Sequence, residues 1–241
     1  MLVAIPRVDG WVPPPTARER EMVRLLSYLA MAGKPVGAGR LRSWALGADQ
    51  DHPVAPKTVQ NAASQLRTSI GSELLPEADA YGRYVTSPSI TVDALRFSGL
   101  VARAKVASTG DETVRLLGDA FELIEDIPLV DVRSGFSWWD DDGHARQVET
   151  AAIDAASQLV PLVLATGDGA LAQWVVQQAR LVAPYAEALF TLDIDVASAA
   201  GDRWRAKHIY TKCRDMLRDL DPDAAPNAAT ERVYRRAMSG Q

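Results

Sequence analysis

Cysteine is almost missing from this sequence: Cys213 is the single one. That excludes an intramolecular disulfide framework and a cysteine-rich zinc site. Histidine is scarce too, and His52, His144 and His208 lie too far apart for metal-ligand spacing. No run of consecutive apolar residues approaches the ~18 needed to span a bilayer. Residues 1–11 include Pro6, Arg7 and Asp9, which is not the make-up of a secretory leader. The local signatures of catalysis are missing as well. There is no G-x-S-x-G, no G-x-x-x-x-G-K-[ST] and no G-x-G-x-x-G. Gly37-Ala38-Gly39 is a lone G-x-G without the strand-to-helix context that would give it meaning. The expectation is a cytoplasmic protein that is not an enzyme, uses no metal or cofactor and makes no membrane contact through this segment.

What is present suffices for a packed core. The chain has 241 residues, 47% of them hydrophobic, and a net charge of only −5, which rules out a disordered chain. The charge is uneven. Residues 1–105 carry 13 basic and 9 acidic side chains (net +4), and the remainder carries 13 and 22 (net −9). The front is the half suited to an anion.

The front half reads as three short helices and a hairpin. Trp11-Val12-Pro13-Pro14-Pro15 forms a stiff lead-in, and Thr16 with Glu19 makes a capping-box pattern before an apolar stripe. The stripe is Met22, Leu25, Leu26 and Leu29, spaced i, i+3, i+4, i+7, which predicts a helix with one buried face. A second helix is predicted over 38–46, burying Leu41, Trp44 and Ala45, and a loop over 47–56. The third, from Pro56 to Ile70, starts with a proline suited to a first turn and ends at Gly71. Val59, Ala62, Ala63, Leu66 and Ile70 fall on one face. Lys57, Asn61, Ser64 and Thr68 fall opposite, flanked by Thr58, Gln60, Gln65 and Arg67, and the helix holds no carboxylate. Amides, hydroxyls and cations can meet phosphates and base edges, which carboxylates would repel. Leu74-Leu75 and residues 81–86 are β-prone runs around a turn, predicting a hairpin with Arg83 and Tyr84 near its tip or on its second strand. Three helices and a hairpin make the order of a winged helix-turn-helix, in which residues 57–70 are the groove-entering helix.

The back half is helical, with segments expected near 93–107, 111–124, 145–166, 169–182, 185–200, 202–219 and 228–238. Gly-Asp recurs at 167–168 and 201–202, 34 residues apart, which is the period of tetratricopeptide (TPR) repeats. Ala165 with Ala199, Val175 with Ile209, and Ala179 with Cys213 keep the same offset. An irregular stretch from Glu125 to Gly143 separates the two sets. Its Asp140-Asp141-Asp142 matches no calcium-loop spacing and reads as a solvated turn before a helix, and Trp138 and Trp139 read as packed against the helix stack. Cys213 sits among cations, which act to lower a thiol pKa, but its place on a helix face favours the core.

Taken in order, RLLSYLAMAGKPVGAGRLRSWAL, PKTVQNAASQLRTSIG, LLPEADAYGRYV and TVDALRFSGLVARA resemble the Streptomyces antibiotic regulatory protein (SARP) family of actinobacteria. The closing DMLRDLDPDAAPNAATERVYRRAM resembles the end of the same family's bacterial transcriptional activator domain. The likeness spans residues 16–240, and its more specific parts are the third helix and the V-D-x-x-R-F passage at 92–97. It implies a mainly α chain, with a winged helix-turn-helix DNA-binding domain over 1–90 and a TPR-like activator domain over 91–241. It also implies a DNA surface of Lys57, Thr58, Gln60, Asn61, Ser64, Gln65, Arg67 and Thr68, with Arg83 and Tyr84 on the wing and Arg40 and Arg42 beside it. The implied partners are double-stranded DNA, a second copy in a homodimer, and RNA polymerase or another protein met by the helical domain. The alternative is a protein-interaction module that keeps the winged shape without the DNA contacts, at one end of a larger multidomain protein.

Overall fold

The computed structural model describes residues 19–47, 54–129 and 136–239. The Thr16 cap, the proline lead-in and His52 lie outside them. The fold is mainly α: a winged helix-turn-helix followed by TPR-like helical repeats. The chain forms two compact units. The first comprises Met1–Arg96 and Asp126–Arg146, and the second Phe97–Glu125 and Gln147–Gln241.

In the first unit, α1 (Glu19–Ala32) buries its expected stripe of Met22, Leu25, Leu26 and Leu29. Strand β1 (Val36–Gly37) leads into α2 (Ala38–Arg40), which widens into a π-turn over Leu41–Ala45. Leu46 N–H closes that turn on the Leu41 carbonyl at 3.1 Å, five residues back. The wider turn places Leu41 and Ala45 inside while Trp44 stays half-buried. Helix α3 (Pro56–Ile70) has the boundaries expected from its proline start and glycine stop. It packs on α1 and α2 through Val59, Ala62, Ala63 and Leu66, all buried. Ile70, the last residue of that face, is only partly covered.

The expected hairpin is replaced by a different pairing. Strand β2 (Arg83–Tyr84) pairs antiparallel with β1, Val36 opposite Tyr84 and Gly37 opposite Arg83. Leu74-Leu75 forms a turn instead of a strand, and Leu75 is fully buried. The loop between them still folds back on itself: Ser87 N–H donates to the Leu74 carbonyl, and Asp79 N–H to that of Arg83.

Residues 136–144 also belong to this unit, with a short helix α6 (Trp138–Asp141) that the sequence reading missed. Trp138 and Trp139 are buried as expected, and both rings meet His144 at the start of the long helix that follows. Trp138 meets Tyr28 edge-on at 5.1 Å and lies near Phe136 and His144. Asp142 is not a bare turn residue, because its carboxylate pairs with Arg40.

The second unit holds most of α4 (Asp93–Ala104), α5 (Gly110–Phe121), most of α7 (His144–Ala165), then α8 (Gly169–Val182), α9 (Glu187–Ala199), α10 (Arg203–Leu220) and α11 (Ala228–Ser239). The 34-residue repeat is one turn built twice. Gly167 and Gly201 take φ of 84° and 71°, a region that L side chains rarely adopt. The Asp168 carboxylate accepts the Leu171 N–H, and the Asp202 carboxylate accepts the Arg205 N–H, each at 2.9 Å. Each therefore caps the next helix. Of the recurring positions, Val175 and Ile209, and Ala179 and Cys213, are all buried, whereas Ala165 and Ala199 are both exposed. Helix α9 is wrapped by α8, α10 and α11. Asp193 on α9 is buried and receives Arg205 at 2.6 Å and Arg180 at 3.4 Å.

Helix α7, at 22 residues, is long and apolar enough by composition to cross a membrane, although no single run in it is wholly apolar. Its Val148, Ala152, Ala155, Ala156, Leu159, Val160 and Val163 are buried in the second unit. A core helix meets the same length and composition test.

Candidate nucleic-acid interface

The surface proposed from sequence is carried by α3 and by the turn before β2. Lys57, Gln60, Ser64, Gln65 and Thr68 are exposed, and Thr58 and Asn61 are half-buried. The apolar residues behind them dictate this, because 100° per residue turns Val59, Ala62, Ala63 and Leu66 inward and the polar set outward. Thr68 donates its hydroxyl proton back to the Ser64 carbonyl at 2.9 Å, so it faces a ligand mainly as an acceptor.

Three of the four arginines of this surface are committed within the fold. Arg67 Nε donates to the Leu75 carbonyl at 2.9 Å and its Nη2 to that of Pro76 at 3.0 Å, so the side chain clamps the turn after α3. Arg83 pairs with Asp79 at 2.7 Å and lies over the Tyr81 ring at 5.1 Å. The Arg83 backbone N–H, joined by its side chain and by the Tyr81 N–H, holds the Asp79 carboxyl below its usual range. Arg40 donates through Nε to the Tyr28 hydroxyl at 2.6 Å and through Nη2 to Asp142. Lys57 and Arg42 have no ion pair among the described residues.

Tyr84 does not sit on the surface. It is 6% exposed and packs inward from β2. Successive strand residues face opposite sides, so Arg83 outward requires Tyr84 inward. The aromatic ring that the turn does present is Tyr81, 82% exposed. The signal for it was its place one residue before Gly82, whose φ of 69° makes the turn.

Other candidate chemistry dissolves in the structure. Burial, with a contribution from Glu187, pushes the Cys213 thiol up to about 11, the reverse of an activated nucleophile. His208 is exposed and stacks on Trp204 at 5.5 Å. The described residues contain no group of three or more His, Cys, Asp or Glu arranged to hold a metal ion. In the second unit a cavity of about 400 Å³ opens between α7, α9 and α11, lined by Val160, Pro161, Leu164, Leu192, Asp195 and Arg236 among others.

No protein-family model matches the chain, and no curated protein matches it in sequence. Its fold is similar to that of Mycobacterium tuberculosis EmbR, solved in complex with a low-affinity phosphopeptide, with a TM-score of 0.70 at 20% identity. The match covers 95% of this chain and 61% of that one. The likeness is one of fold.

Proposed function

We propose that the chain is a DNA-binding transcription regulator whose α3 enters the major groove. One observation carries this reading: the exposed face of α3, from Lys57 to Thr68, is free of carboxylates and stands on a winged-helix fold in the position of the groove-entering helix. In this proposal residues 1–90 form the DNA-binding domain and 91–241 the activator domain. Lys57, Gln60, Asn61, Ser64 and Gln65 read bases and phosphates, with Thr58 and Thr68 at the margins. Arg42 meets the backbone, and Tyr81 with Arg83 touches the flanking groove. The protein works in the cytoplasm as a homodimer, since so few free cations give one copy little hold on DNA. The helical domain meets RNA polymerase or another protein.

The commitment of Arg40, Arg67 and Arg83 inside the fold favours a second reading, in which the winged helix is an interaction module without DNA contacts. Selection of genomic fragments by the purified protein at two salt concentrations separates the two. Retention of defined fragments, weakening with salt, supports the regulator. No retention of duplex even at low salt, together with capture of a protein partner, supports the module.

A further inference from the structure

A second cavity, of about 320 Å³, lies wholly within the first unit, between the end of α1, β1, α2 and the 138–144 segment. Its size falls at the small end of ligand pockets. Several of its lining side chains carry donors. Trp138 is fully buried, and its indole N–H has no acceptor. Tyr28, also buried, accepts the Arg40 Nε–H, and its own hydroxyl proton has no acceptor among the described residues. Lys34 is exposed and unpaired among the described residues. Asp142 is already taken by Arg40 Nη2, with oxygens at 3.1 and 3.2 Å. Burial holds His144 below its ordinary pKa against the opposing pull of Asp142. Arg40 and Asp142 cancel, so the cavity retains about one positive charge, that of Lys34. Met31, Val36 and the Trp138 ring supply an apolar wall.

One net charge, side-chain donors without acceptors among the described residues and an apolar wall match a monoanion with a hydrocarbon body better than a phosphate. We propose that this cavity binds a small organic carboxylate, with its ring or chain against Met31, Val36 and Trp138 and its oxygens facing Lys34, Arg40 and the Tyr28 hydroxyl. The site does not depend on whether α3 binds DNA.

The test is a titration of the full chain with benzoate, its neutral counterpart benzamide, and inorganic phosphate. Binding is read by calorimetry and by the resonances of the six indole N–H groups. The expected result is a saturable benzoate isotherm with a Kd on the order of 1 mM or tighter, and one indole N–H that shifts with it. Lys34→Ala, on an exposed side chain, weakens binding about fivefold, as expected for loss of one solvent-facing charge partner. Tyr28→Phe, which keeps the ring, weakens it as well. The proposal is overturned by no saturable binding of benzoate, by benzamide or phosphate binding as tightly, or by a Lys34→Ala variant with unchanged affinity.

Discussion

Cys213 and Tyr210 lie on the same helix, and both hold their protons more tightly in the folded chain. Burial raises the thiol to about 11, and a hydrogen bond donated to Glu231, with some burial, pushes the Tyr210 phenol up to about 12. The ordinary values are 9.0 and 10.0. A raised folded pKa favours folding fully below the unfolded value, and that contribution is lost as pH climbs through the folded one. The contribution of these two groups to stability against urea should therefore be constant up to about pH 9 and then fall between about pH 9 and 12. Tyr210→Phe should flatten the upper part of that fall. A native chain that loses no stability over this range refutes the assignment. Asp193 is the other residue whose surroundings set its worth. Asp193→Ala strands two arginines that are a quarter to a third exposed. The expected loss is roughly 2 kcal/mol, below the ~3–5 of a fully buried pair, because water reaches the cations. A thermal melt of the variant measures it. At this scale the sequence was only partly legible. Lys57, Ser64 and Gln65 lie where periodicity put them. The commitment of Arg67 to two carbonyls was invisible, because a side chain's partner eight residues on depends on the path of the loop.

Helices were the most readable level, and for identifiable reasons. Helix α3 has a proline at its start, a glycine at its stop and an unbroken apolar stripe between, so three independent signals fix the same bounds. The wing failed because two-residue strands leave no alternation to read, and β2 pairs with residues 46 and 48 positions back instead of with its sequence neighbour. Four variants test this level. Lys57→Ala should weaken duplex binding evenly across sequences and lower the log–log salt slope by about 1, one phosphate contact's worth. Arg67→Ala should instead act through the turn that it holds, weakening binding with little change of slope, which gel shifts at several salt concentrations would distinguish. Gly201→Ala puts a Cβ at φ 71° and should cost about 1 kcal/mol from that conformation alone, although nothing crowds the site. Gly167→Ala should cost about the same, since the two turns share their hydrogen bonds; urea melts of both variants check it.

For the molecule as a whole, the 34-residue period was legible because duplication writes the same turn twice. The composition of the first unit was not. Nothing in the composition of 125–143 announces that its aromatics cover Tyr28, a contact spanning 110 residues of chain. A polypeptide ending at residue 96 lacks Phe136, Trp138 and Trp139 and should be loosely packed. The expected signs are dye binding and poor dispersion of its proton spectrum, both relieved when a chain reaching residue 146 is used. Tight, well-dispersed spectra from the shorter chain would overturn this.

The same discontinuity has a temporal side. Synthesis at ~5–20 residues per second leaves a gap of about 2.5–10 s between Arg96 and Arg146. During that interval the nascent winged helix exists without its tryptophan lid, while the first residues of the other unit are already emerging. The ring of Tyr28 must wait, wet, for a segment the ribosome has yet to deliver, and a chaperone that favours exposed aromatics has that long to find it.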